Sequence, residues 1–131
     1  FKSESFNKSR EIIGDFEFFV KLSLKKHIGS IQEPLACFRI HEKNISRNKI
    51  ALFLKELEHW VKNNKNNKTI KKFNLSEVYL QIQILKIKNF IFKKEKIKAF
   101  IEILKIPFSI KKIKFVLLLI MPLKIVKKIY S

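Results

Sequence analysis

An aspartate at a predicted helix start is the first residue in this sequence that could act as a general base. Asp15 follows Gly14, and the residues after it recur at helical spacing and predict one buried face: Phe16, Phe19, Val20 and Leu24. A helix N-terminus favours the carboxylate form, so Asp15 could accept a proton from a hydroxyl group held against it. The ordinary alternative is an N-cap that binds backbone N–H groups. Glu17 points about 200° round the helix from Asp15, and we expect it to be solvated.

Arg39 and His41 lie at the end of a predicted strand. The guanidinium of Arg39 could bind a phosphate group through two parallel hydrogen bonds, or it could pair with Glu33. No second ligand stands at metal-site spacing from His41, and a lone histidine after a strand is usually a surface or hydrogen-bonded residue. The other two histidines fall in the last turns of predicted helices, where a cation is favourable, and we assign them no function.

The elements that must position these residues follow from apolar periodicity. We predict a helix from Asp15 to about His27, a strand over Leu35–Ile40, and a helix capped by Ser46 that carries Leu57 and Trp60 on its buried face. The polar Asn/Lys stretch that follows cannot bury enough surface to order itself, which indicates a linker.

The second half of the chain is predicted to be helical. Residues 75–92 alternate in part like a strand, but their length favours a helix. Residues 94–106 form a clearer helix, with one apolar stripe made by Ile97, Phe100, Ile101 and Leu104, and Pro107 ends it. The apolar centre of the tail, Phe115 to Met121, is too short to span a bilayer and is followed by Pro122, so an interfacial helix fits it better.

Composition excludes several classes of protein. The 131 residues contain 2 glycines, too few for a phosphate-binding loop or a dinucleotide fingerprint, and the one cysteine, Cys37, excludes a disulfide framework. We expect Cys37 to be a buried small side chain. With 29 Lys+Arg against 11 Asp+Glu, the net charge is +18, and lysines in the second half supply most of the excess. Such a field attracts nucleic acid or an anionic membrane, and the 47% hydrophobic content argues against a disordered nucleic-acid tail.

Several separated motifs occur in one order: residues 14–22 (GDFEFFVKL), 31–36 (IQEPLA), 38–41 (FRIH) and 44–46 (NIS). Together they resemble the acceptor-side end of family 2 glycosyltransferases, in which an acid-rich helix start is followed by a strand with an aromatic residue, an Arg, an aliphatic residue and a His. The resemblance extends from Phe6 to Ser46. Gly14 departs from the family pattern, which usually has a second acid immediately before the base.

The resemblance implies a GT-A fold and an inverting transfer of sugar from a nucleotide-diphosphate donor to an acceptor hydroxyl. Asp15 would be the catalytic base, Arg39 would bind substrate near the phosphates, and His41 would be a ligand to a divalent metal, Mg²⁺ or Mn²⁺. The nucleotide-binding sheet and the Asp-any-Asp motif of the family would precede Phe1. We therefore expect this chain to be part of a longer enzyme and to be inactive by itself.

These expectations combine into one architecture. The fold class is α+β and predominantly helical, a C-terminal fragment of a GT-A α/β glycosyltransferase domain followed by amphipathic helices. Residues 1–61 are the end of the catalytic domain, 62–74 the linker, and 75–131 a basic, membrane-associated helical region. The expected partners are a nucleotide-sugar donor, a glycan or lipid-linked acceptor and an anionic membrane on its cytoplasmic face, with no nucleic acid. The alternatives are a basic nucleic-acid-binding module and a membrane adaptor without catalysis.

Overall fold

The computed structural model describes residues 5–37, 49–122 and 124–126, and within them the regular structure is helical. The α-helices are α1 (Gly14–Ser23), α2 (Ile50–Asn64), α3 (Ser76–Phe92), α4 (Lys96–Lys105) and α5 (Ile110–Ile120), with a 3₁₀ turn at Ile70–Lys72. The predominantly helical class is confirmed. The part of the predicted strand that is described, residues 35–37, is irregular, and residues 38–40 lie outside the described ranges.

The central element is α3, which packs against α2 on one side and α4 on the other. Its apolar residues surround the helix, as expected for a helix buried on more than one side. Ile82 and Leu85 belong to a first core with Ile13, Leu57, Trp60 and Ile70. Ile87 and Ile91 belong to a second core with Ala99, Ile103, Ile106, Phe115, Leu118 and Val126. The ambiguous stretch is therefore a helix because it fills two cores.

The Asn/Lys-rich segment is more ordered than its composition predicts. α2 continues into it as far as Asn64, whose side-chain amide donates a hydrogen bond to the Trp60 carbonyl. The side chain of Asn67 accepts hydrogen bonds from the N–H groups of Thr69 and Ile70, which starts the 3₁₀ turn. Ile70 is buried in the first core. This buried side chain attaches the polar connection to the first core.

The apolar stripe predicted on α4 faces solvent. Ala99 and Ile103, on the opposite side of the helix, are buried in the second core. The predicted stripe is exposed instead, at Ile97, Phe100, Ile101 and Leu104. The boundaries of this helix agree with the prediction within two residues, and the predicted stripe forms its exposed side.

The tail helix α5 is anchored in the protein. Its N-cap is Ser109, whose hydroxyl accepts a hydrogen bond from the Lys112 N–H. Phe115 and Leu118 are buried in the second core, so the apolar centre that was expected to face a membrane is partly internal. Among the helices of the described ranges, none combines the length and hydropathy needed to cross a bilayer.

Candidate functional site

An apolar groove of about 400 Å³ opens where the start of α1 meets α2 and α3. Its walls are mostly aliphatic and aromatic, with three polar side chains, and the lining residues are Ile12, Ile13, Asp15, Phe16, Phe53, Leu57, Glu77, Val78 and Gln81. A concave apolar surface with a few polar groups is the usual form of a small-molecule site. Asp15, the predicted base, is one of the two carboxylates of this groove.

Asp15 is not the N-cap of its helix. Ile13 occupies that position without a side-chain cap, so Asp15 is the second residue inside α1. Its side chain is exposed, and its Oδ1 accepts a hydrogen bond from the Phe16 N–H at 2.7 Å. No cation of the described residues forms an ion pair with it. The carboxylate therefore lies in the first turn of α1, exposed at the groove.

Glu77 is the second acid of the groove, and the sequence interpretation did not identify it. It is the second residue of α3, whose N-cap is Leu75, and therefore holds the same position in its helix as Asp15. Its side chain is exposed. The sequence shows that Glu77 is an acid in the first turn of a predicted helix. It does not show that the packing of α3 against α2 brings Glu77 to the same groove as Asp15.

The chain preceding α1 is held by a carboxylate from α2. Glu56 is 5% exposed, and its two oxygens accept hydrogen bonds from the N–H groups of Glu11 at 2.9 Å and of Ile12 and Ile13 at 3.1 Å. Burial raises the pKa of Glu56, but the three backbone hydrogen bonds and the charge of Arg10 outweigh burial, so the pKa lies below its ordinary value. This carboxylate fixes the wall of the groove next to Asp15.

Glu17, which was expected to be solvated, is buried beside Arg10. Arg10 Nε donates to Glu17 Oε2 at 3.1 Å, and Lys21 Nζ lies 2.8 Å from Oε1. Burial raises the pKa of Glu17, but the hydrogen bonds from Lys21, Arg10 and Asn7 and the charge of Lys21 together outweigh burial. The pKa of Glu17 therefore lies below its ordinary value. Arg10 also donates to His59 Nδ1 at 2.9 Å. The network connects α1 to α2 and therefore has a structural role.

The other two predicted site residues, Arg39 and His41, lie outside the described residues, as does Ser46. α2 begins at Ile50 with Lys49 at its N-cap. Over residues 5–37, 49–122 and 124–126, no group of three His, Cys, Asp or Glu side chains is arranged to hold a metal ion. One imidazole is too few ligands for a divalent ion, so a site that includes His41 needs further donors. Cys37, expected to be buried, is exposed.

The chain was also compared with family models, curated proteins and solved structures, and none of the three comparisons found a match.

Proposed function

We propose that this chain is the acceptor-side portion of an inverting family 2 glycosyltransferase that works at the cytoplasmic face of an anionic membrane, in the synthesis of a bacterial surface glycan or glycolipid. The nucleotide-sugar donor would bind mainly to the part of the enzyme that precedes this chain. The motifs between Gly14 and Ser46 support the family, and the groove beside Asp15 supports the acceptor side.

In the proposed reaction Asp15 accepts the proton of the acceptor hydroxyl. The hydroxyl oxygen then bonds to the anomeric carbon of the donor sugar as the bond from that carbon to the diphosphate oxygen breaks, which inverts the configuration. A divalent metal, when bound, supplies charge neutralisation for the departing diphosphate. Arg39 would hold the phosphates, and His41 would be one of several ligands to the metal.

The observation on which the proposal depends is the position of the Asp15 carboxylate. It lies in the first turn of α1, its side chain is exposed, and it lines a groove large enough for part of an acceptor. Because Phe16, Phe53 and Val78 make that groove apolar, it suits the hydrocarbon part of a lipid-linked acceptor better than a bare glycan. Asp15 would then meet the hydroxyl at the polar end of the lipid.

The test uses the intact enzyme with Asp15→Asn and Glu77→Gln as a matched pair. Both acids line the groove at the same helix position, and both side chains are exposed. Each substitution should lower the free energy of unfolding by less than about 1 kcal/mol, because each removes one carboxylate from a helix N-terminus. Asp15→Asn should reduce sugar transfer by at least about a hundredfold, and Glu77→Gln by far less. Transfer by Asp15→Asn within tenfold of wild type would remove Asp15 from the role of base.

A further inference from the structure

The exposed face of α4 is an apolar stripe with lysines on both sides. Ile97 is 79% exposed, and Phe100, Ile101 and Leu104 are exposed on the same side of the helix. On an ideal helix, Lys98 and Lys105 lie about 90–110° to one side of the stripe centre, and Lys96 lies about 90° to the other. A helix with this distribution lies in the plane of a membrane interface with its apolar face in the lipid.

The same pattern continues beyond α4. Phe108 and Ile110 are each 86% exposed, and α5 adds an exposed row at Ile113, Leu117 and Ile120. We call these residues together with the stripe of α4 the docking face. Monomeric proteins seldom expose so many large apolar side chains in one short region, and exposed apolar patches of this kind usually mark an interaction site.

A lysine fixes the corner between the two helices. Lys112 Nζ donates hydrogen bonds to the carbonyl oxygens of Leu104 at 3.2 Å and Ile106 at 2.9 Å, at the C-terminal end of α4. α4 and α5 also pack together around Ile103 and Phe115. The connection that carries Phe108 is therefore held at both ends, so little conformational freedom is lost on docking.

Charge decides which partner suits the docking face. Eight lysines and two glutamates lie between residues 93 and 114, and both glutamates are paired, Glu95 with Lys98 and Glu102 with Lys105. A second copy of the chain would bring the same positive charge against this face, which is unfavourable. Anionic lipid headgroups complement the lysines while the acyl region receives the apolar side chains.

A groove next to the docking face also suits a lipid as the partner. It has a volume of about 400 Å³ and is lined by Ile91 of α3, by the apolar residues 118–122 at the end of α5, and by Lys94 and Lys96. It shares Lys96 with the flank of the α4 stripe and Ile120 with the docking face. An apolar groove that is lined by two lysines fits an acyl chain that carries an anionic headgroup.

We propose that the docking face binds the surface of an anionic bilayer, with Ile97, Phe108 and Ile110 entering the lipid. The inference extends the membrane part of the proposed function and rests on that part, not on sugar transfer. It also places the main contact at α4 and the α4–α5 corner, with the exposed row of α5 beside them. Deleting residues 109–131 would not test it, because Phe115, Leu118 and Val126 belong to the second core.

The experiment is co-sedimentation of the full chain with vesicles of phosphatidylglycerol and phosphatidylcholine, or of phosphatidylcholine alone. The test variant combines Ile97→Ser, Phe108→Ser and Ile110→Ser, all at strongly exposed positions, and its thermal transition should match that of wild type. Binding to the anionic vesicles should fall by at least about tenfold. The matched control replaces three exposed apolar residues of the irregular segment after α1, Ile28, Ile31 and Leu35, with serine and should bind like wild type.

A second pair of variants tests the charge. Lys96→Gln with Lys98→Gln should weaken binding by about fivefold for each lysine, whereas Lys65→Gln with Lys68→Gln should have a much smaller effect. Equal sedimentation of the serine test and control variants would overturn the proposal, and so would equal binding of wild type to neutral and anionic vesicles. A wild-type dimer in lipid-free buffer that the serine test variant converts to a monomer would instead assign this face to a second copy. Asp15→Asn should sediment like wild type, so loss of transfer and loss of docking are separate results.

Discussion

Replacing Glu56 with alanine should destabilise the fold strongly, because its carboxylate binds three backbone N–H groups. The hydrogen bond from Ile13 is buried, and those from Glu11 and Ile12 are partly buried. A hydrogen bond to a charged group contributes about 1.5–3 kcal/mol, and a buried donor without a partner costs about 1–3 kcal/mol. Water can reach two of the three donors in the variant, so we expect a total loss of about 3–4 kcal/mol.

Glu58→Ala is the matched control, on the same helix and with the same loss of a carboxylate. The side chain of Glu58 is 44% exposed and pairs with Lys86 at 2.9 Å, an interaction that contributes at most about 1 kcal/mol. Urea denaturation followed by circular dichroism gives both free energies of unfolding. A difference between the two variants below about 1 kcal/mol would refute the role assigned to Glu56.

The pH dependence gives an independent check of the same carboxylate. Hydrogen bonding and charge hold the pKa of Glu56 below its ordinary value in the folded state, so the folded protein binds the proton less readily than the unfolded chain. The stability contributed by Glu56 is therefore complete above the unfolded pKa of about 4.3 and is lost as the pH falls through the folded pKa. The pKa of Glu17 is also lowered in the folded state, so its contribution to stability should likewise be lost as the pH falls. Glu56→Gln should weaken the acid dependence measured between pH 6 and pH 3, and an unchanged dependence would contradict this assignment.

Two further predictions concern the second half of the chain. Ile103→Ala should lower the free energy of unfolding by about 2–4 kcal/mol, because this side chain is 0% exposed in the second core. Ile97→Ala, on the exposed side of α4, should change it by less than about 0.5 kcal/mol. Similar losses for the two variants in urea denaturation would contradict the orientation of α4. Lys94 has a φ of 63°, so Lys94→Gly should raise the free energy of unfolding by about 0.5–1 kcal/mol relative to Lys94→Ala, and a less stable glycine variant would contradict this.

The positions of the helices could be predicted from the sequence because apolar spacing and breaking residues are local signals. Pro107 and Pro122 stand just after the ends of α4 and α5, and Leu57 and Trp60 of α2 are buried as predicted. The first helix ends at Ser23, four residues before His27, where the chain becomes irregular. Differences of a turn at a helix end arise because the last residues gain little from packing.

The buried face of α4 could not be chosen from periodicity. The helix carries two apolar series at helical spacing, and the stripe that includes Ile97 and Leu104 has the larger side chains. The structure buries Ala99 and Ile103 instead. A small residue lets two helix backbones approach closely, so Ala99 is a favourable position for the contact with α3. Which residue size suits a helix contact depends on the other helix, and the sequence of α4 alone does not contain that information.

The same limit applies to the candidate site. Asp15 was the nearest acid to the helix start and was the natural choice for its cap, yet Glu56, 43 residues from Ile13, binds the backbone there. Glu56 belongs to α2, which packs in the first core through Leu57 and Trp60. Its carboxylate therefore lies within hydrogen-bond distance of three backbone N–H groups. Because Glu56 secures the chain leading into α1, the carboxylate of Asp15 is not needed for that purpose and remains exposed at the groove. The residue missed by local reasoning is thus the one that leaves the Asp15 carboxylate exposed at the groove.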